Sequence, residues 1–121
     1  MSSSFQQLRV WQQAMKLASD IYGATAQFPG YEVYGLSQQM RRAAVSVPSD
    51  IAEGKGHRSI REFTNFLLHA RESLLELHTQ VLIAQDLQYL SGNQAHHLLQ
   101  RSDGIARGWN ALINAFRQQV A

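Results

Sequence analysis

Cysteine is missing from all 121 residues. With it go disulfide frameworks and thiolate metal centres, and the chain carries no redox mark of its compartment. Proline occurs only at Pro29 and Pro48, so strong chain breakers are scarce. Uninterrupted aliphatic runs stop after a few residues, as in Val81-Leu82-Ile83-Ala84, far short of the ~20 that span a bilayer. The start, Met1-Ser2-Ser3-Ser4, has neither the charge nor the apolar run of a secretory leader, and the expectation is a cytoplasmic protein with no membrane attachment. Charge is nearly balanced: eleven Lys and Arg against nine Asp and Glu leave a net +2, too little by itself to imply a nucleic-acid partner.

Catalytic signatures are missing as well. There is no Gly-x-Ser-x-Gly elbow, and Gly54-Lys55-Gly56 is too short for a phosphate-binding loop. A di-iron centre in a helix bundle needs Glu-x-x-His pairs from two helices. The sequence has only the reverse order, His69-x-x-Glu72 with Glu76 one turn on, which reads as solvated or interfacial polar surface. His96 and His97 are adjacent and cannot face one metal from one side of a helix. No enzyme activity, catalytic residue, metal or cofactor is expected, although a cleft with a buried acid–base pair would reopen that question.

What the chain does have is helical periodicity. Phe5, Leu8, Trp11, Met15, Ala18, Tyr22, Thr25 and Phe28 trace one face after a possible Ser4/Gln7 capping box, predicting a first helix over 5–28 that Pro29-Gly30 stops. In the second helix, 34–54, Leu36, Met40, Ala44, Val47 and Ile51 form an apolar stripe opposite Arg42, Ser46, Ser49 and Glu53. Pro48 lies inside it. An interior proline costs about 3 kcal/mol, and the alternative break would leave Val47 as a poor N-cap. A continuous helix kinked at Pro48 is therefore expected, with the Ser46 and Ser49 hydroxyls bonding freed carbonyls, and with Gly54 and Gly56 closing it at positive φ.

Ser59 and Glu62 open a third helix, 59–90, along which Ile60, Phe63, Leu67, Ala70, Leu74, Leu77, Val81 and Ala84 make a near-heptad seam. Leu68, Leu75 and Leu82 add a second stripe beside it. That face is wider than one neighbour requires: either the helix is central in its bundle or it also meets another subunit, and in the second case these leucines are the candidate oligomer interface. Ser91 and Gln94 precede a fourth helix, 94–119, with Ala95, Leu98, Ser102, Ile105, Trp109, Leu112, Phe116 and Val120 on one side. Gly104 and Gly108 weaken it by about 1 kcal/mol each, pointing to close approach by a neighbour or to a bent, frayed segment. Four amphipathic helices with short connections and no strand pattern predict an all-α, up-and-down antiparallel four-helix bundle, a single domain over 1–121. A helix-turn-helix reading of 40–75 fails because its recognition helix would be about thirty residues long.

The stretch Gln39-Met40-Arg41-Arg42-Ala43-Ala44-Val45-Ser46-Val47-Pro48-Ser49-Asp50-Ile51-Ala52-Glu53-Gly54 closely resembles the signature of the bacterial four-helix-bundle family named after proteins encoded in 23S rRNA intervening sequences. The likeness continues through Phe5, Leu8, Trp11, Phe28-Pro29, Glu32, Tyr34-Gly35-Leu36 and Glu62-Phe63 to Leu77, covering roughly 5 to 90. Two departures add negative charge: Asp50 stands where the family usually has Asn, and Glu72-Ser73 where it has Gly-Ser. The resemblance implies the same bundle and assembly into a ring, commonly a pentamer. It also implies binding of structured RNA or another nucleic acid, as relatives that act as accessory proteins to retroelement reverse transcriptases are understood to do.

Between residues 41 and 61 five basic residues, Arg41, Arg42, Lys55, Arg58 and Arg61, face two acids, Asp50 and Glu53. These five are the candidate nucleic-acid contacts, and repetition around a ring would multiply their modest charge. Because Arg41 and Arg42 lie about 100° apart on a helix, at least one is free to pair with an acid such as Glu53. The competing expectation is a protein-interaction scaffold without a nucleic-acid role, its charges serving solubility and subunit pairing.

Overall fold

The computed structural model describes residues 5–56 and 59–120, with side-chain surroundings up to residue 115. It contains four α-helices, α1 Arg9–Thr25, α2 Leu36–Gly56, α3 Ile60–Asp86 and α4 Gly92–Val120, and two 3₁₀ turns at Phe5–Gln7 and Gly30–Glu32. No strand occurs among the described residues, and no helix among them is long and apolar enough to cross a membrane. Backbone contacts join α1 to α2, α2 to α3, α3 to α4 and α4 back to α1, and among the described residues there is no diagonal pair. Neighbours run in opposite senses. Along α2 and α3, Gly54 meets Phe63 and Phe66, Asp50 meets His69, and Ser46 meets Ser73. Along α1 and α4, Val10 faces Gly108, whereas Asp20 lies 2.7 Å from Arg101. The result is a four-helix bundle, and its axis is filled by Ile21, Met40, Ile51, Leu67, Leu77 and Ile105.

The apolar stripes fold inward as their spacing requires: Met40, Ala44, Val47 and Ile51 are buried from α2, and Phe63, Leu67, Ala70, Leu74, Leu77, Val81 and Ala84 from α3. Trp109 closes the α3–α4 seam, its indole N–H donating to the Leu67 carbonyl and its ring lying 5.3 Å beneath the Arg71 guanidinium. The serine cap forms at the starts of both α3 and α4, and the full reciprocal box at α4. Ser59 Oγ accepts from the Glu62 amide at 3.2 Å. At α4, Ser91 Oγ accepts from the Gln94 amide at 3.1 Å while Gln94 Oε1 accepts from the Ser91 amide at 2.9 Å.

Helix ends depart from the periodicity. The first helix begins at Arg9, because Leu8 is extended and separates it from the 3₁₀ turn at Phe5–Gln7; the proposed Ser4 cap lies outside the described residues. It ends at Thr25, whose hydroxyl donates back to the Ile21 carbonyl at 2.7 Å, and Phe28 is buried beyond it against Tyr89. The third helix stops at Asp86, since Gln88 adopts φ 65° and folds Tyr89 and Leu90 back onto the Ala84 carbonyl.

The second helix passes through Pro48 unbroken. Ser46 does not bond a freed carbonyl there; its hydroxyl reaches sideways to Asp50 and Ser73. The expectation of positive φ at Gly54 and Gly56 is corrected too, because no described glycine has it. Gly54 is instead a close-approach residue: a Cβ there would lie 2.7 Å from carbons of Phe63 and Phe66.

At one end of the bundle, Glu32 fastens two turns together. Its Oε1 accepts from the Leu36 amide at 3.0 Å, starting α2, and its Oε2 accepts from Tyr89 OH at 2.9 Å. Tyr31 OH lies 3.0 Å from Tyr89 OH and donates to it, since the Tyr89 proton is engaged by the carboxylate. Burial and the Glu32 carboxylate that accepts its proton raise the Tyr89 phenol well above the usual tyrosine value.

Candidate functional site

The middle of α2 turns its two arginines in different directions. Arg41 leans onto α1, where Nε donates to Thr25 Oγ1 at 2.8 Å and the guanidinium lies 4.9 Å over the Tyr22 ring. A hydroxyl and an aromatic face therefore hold it, rather than Glu53. Arg42 is exposed on the ridge between two depressions. Towards α1 lies a groove of about 480 Å³ shared with Tyr22, Val33, Tyr34, Gln38, Arg41 and Val45; towards α3 lies a polar cleft of about 440 Å³ shared with Gln39, Ser46, His69, Glu72, Ser73 and Glu76.

The remaining basic residues lie elsewhere. Lys55 is half-buried with Nζ 5.9 Å over the Phe63 ring, and Arg61 is exposed in the first turn of α3. Arg58 lies outside the described residues. Lys55 lies thirteen positions beyond Arg42 along the continuous helix, about 20 Å of rise. Arg41 and Arg42 thus belong to the middle of α2, whereas Lys55 and Arg61 belong to the end where α2 gives way to α3.

Leu68, Leu75 and Leu82 are 38%, 59% and 46% exposed. Leu75 borders α4 beside Arg71, Ala106 and Trp109, which puts the stripe on the α3–α4 side of the bundle. The opposite, α1–α2 side carries an open apolar groove of about 610 Å³, walled by Phe5, Trp11, Met15, Tyr22, Val45 and Pro48. Because neither side is covered, the bundle presents two apolar surfaces facing away from each other.

The polar cleft contains a network that the separate sequence motifs do not reveal. Asp50 Oδ2 accepts from His69 Nδ1 at 2.6 Å and from Ser46 Oγ at 3.1 Å, while Ser73 Oγ lies 3.0 Å from Ser46 Oγ. With the Ser46 proton engaged by Asp50, Ser73 donates to Ser46. The sequence signal was two polar pairs at i,i+4, Ser46/Asp50 and His69/Ser73, which an antiparallel register brings face to face. Hydrogen bonding to Asp50, then its charge, raises the His69 pKa; Glu72 and Glu53 add to this and burial opposes it. The imidazole is exposed, yet both hydroxyls sit on the carboxylate side of the pair, so among the described residues no serine hydroxyl is bonded to the ring for deprotonation. No group of three potential metal-ligating side chains converges among the described residues.

Comparison with curated proteins gives no match in sequence. Among solved structures, a protein of unknown function from the S23 ribosomal protein family, from Bacteroides thetaiotaomicron, superposes with a TM-score of 0.78 at 20% identity, over 86% of this chain and 97% of that one. At that identity the likeness establishes the shared helical fold. In sequence, the family description "23S rRNA-intervening sequence protein" matches residues 6–111. The resemblance carried by the α2 segment thus extends into α4, and the chain belongs to the 23S rRNA-intervening sequence protein family.

Proposed function

We propose that this protein is a non-enzymatic cytoplasmic bundle that assembles with copies of itself into a ring and offers its basic residues to structured RNA. The observation that carries the assembly is the pair of apolar surfaces on opposite sides, the Leu68/Leu75/Leu82 stripe and the Phe5/Trp11/Met15 groove. Different surfaces on opposite sides suit a head-to-tail contact, and such contacts close into rings when the rotation permits. A subunit number of five follows from the family resemblance. Pro48 lines the groove wall, and in this reading a bend of α2 there sets the angle between successive subunits. Each half-exposed leucine leaves about 1 kcal/mol of burial to be gained on contact.

RNA is favoured by the family to which the chain belongs and by Arg42 and Arg61, both exposed. The scaffold reading without RNA is favoured by Glu72 and Glu76, which share Arg42's polar cleft. Light scattering on the purified chain tests assembly, and binding of a structured RNA across a salt series tests the partner. A monomer at micromolar concentration would refute the ring; no RNA binding at low salt would leave the scaffold.

A further inference from the structure

The groove that Arg41 and Arg42 share with Tyr22 and Tyr34 has a composition unlike the rest of the surface. Two guanidinium groups and two phenol rings line it together with Val33, Val45 and neutral polar groups, and no carboxylate does. Tyr34 is 88% exposed, an apolar ring held in water. Its position is fixed from both sides of the chain: the Gly35 amide donates to the Glu32 carbonyl at 2.9 Å, and the Leu36 amide to Glu32 Oε1 at 3.0 Å. Glu32 is in turn held by Tyr89. Arg41 is likewise set in place by Thr25 and the Tyr22 ring, whereas Arg42 has no hydrogen bond or ion pair to another described residue. The backbone carrying Tyr34 and the guanidinium of Arg41 are thus ordered before any ligand arrives, which reduces the entropy lost on binding.

We infer that this groove binds an unpaired nucleic-acid segment, a base stacking on Tyr34 at the groove's open edge and an adjoining phosphate meeting Arg42. Aromatic faces supply sequence-tolerant stacking, and guanidinium groups neutralise the backbone. An unpaired strand is the occupant that matches both features, because its bases present free faces. In a duplex those faces are covered by neighbouring pairs. The lack of acid in the lining suits the anionic backbone. This inference rests on the reading that the protein meets RNA, and adds which part of the RNA it holds and where.

The test uses the full chain in its assembled state, with a short labelled oligouridylate and a blunt RNA duplex of equal length as probes. Anisotropy titrations across a salt series are made on the wild type, Tyr34→Ala, Tyr34→Phe, Arg42→Gln and the double variant Lys55→Gln/Arg61→Gln. The oligouridylate should bind more tightly than the duplex. Tyr34→Ala should weaken single-strand binding by roughly fivefold or more with its salt slope unchanged, and Tyr34→Phe should retain it. Arg42→Gln should reduce that slope by about 0.7. Unchanged single-strand binding by Tyr34→Ala overturns the inference. So does an equal loss on the duplex, or a fall in assembly mass by light scattering, which would make Tyr34 a subunit contact. Capture of an acidic aromatic peptide but not the oligonucleotide also overturns it. If only the Lys55/Arg61 variant loses RNA, the groove is excluded while the RNA reading stands; if the wild type binds neither probe, both fall.

Discussion

Asp50 and His69 join the middles of α2 and α3 through a 2.6 Å contact between Oδ2 and Nδ1. It fixes the acid that departs from the family pattern to a base one helix away. Because the folded pKa of His69 is raised above its ordinary 6.5, the charged pair contributes its full stabilisation below that value. The contribution is lost as pH rises through the raised pKa. The imidazole is exposed, so salt should weaken the effect. Thermal melting across pH should show the wild type gaining on His69→Gln, a neutral donor, only on the acid side. An equal difference at acid and alkaline pH would show that charge plays no part.

Two glycines should respond to alanine with opposite signs. At Gly54 the new methyl would meet carbons of Phe63 and Phe66 at 2.7 Å, and overpacking of that kind typically costs 1–3 kcal/mol, about. At Gly108 the nearest atoms, on Val10 and Gln13, lie 3.7 Å away, an ordinary contact. There the gain in helix propensity of about 0.8–1 kcal/mol should emerge. Denaturant unfolding of the two variants decides the matter; stabilisation at Gly54 would show that α2 and α3 can move apart without cost.

These glycines also show what was legible in the sequence. Helix identity and core stripes could be read from apolar period, and the starts of α3 and α4 from Ser59/Glu62 and Ser91/Gln94, because those signals are local. Gly54's tight contact, the Ser46–Asp50–His69 chain and the Arg41–Tyr22 pairing depend on register between helices, which periodicity does not specify. The ends of α1 and α3 were missed for another reason: Thr25 and Gln88 terminate helices by a hydroxyl back-bond and a left-handed turn, in positions where neither residue type announces it.

Leu75 is the strongest probe of assembly, being 59% exposed on the surface opposite the α1–α2 groove. Leu75→Glu should dissociate the oligomer and leave a helical monomer, since a carboxylate would have to be desolvated at the contact. Light scattering and far-UV circular dichroism read both outcomes. A variant that assembles like the wild type would remove this stripe from the interface.

Pro48→Ala should restore a backbone hydrogen bond to the Ala44 carbonyl and relieve part of the roughly 3 kcal/mol that an interior proline costs. Helicity and melting temperature should rise while the ring loosens, if curvature of the groove wall aligns the subunits. A higher melting temperature with unchanged assembly mass would mean that Pro48 has no architectural role.

The double grip of Glu32, one carboxylate oxygen on the Leu36 amide and the other on Tyr89, makes the α1–α2 and α3–α4 turns a single cooperative unit for local opening. Neither turn can release its anchor without disturbing the other's. The first amides of α2 should accordingly exchange with solvent in concert with those around Leu87 to Leu90, although more than fifty residues of chain separate them. The two helical hairpins are fastened at this end, which leaves opening of the bundle to proceed from the opposite one.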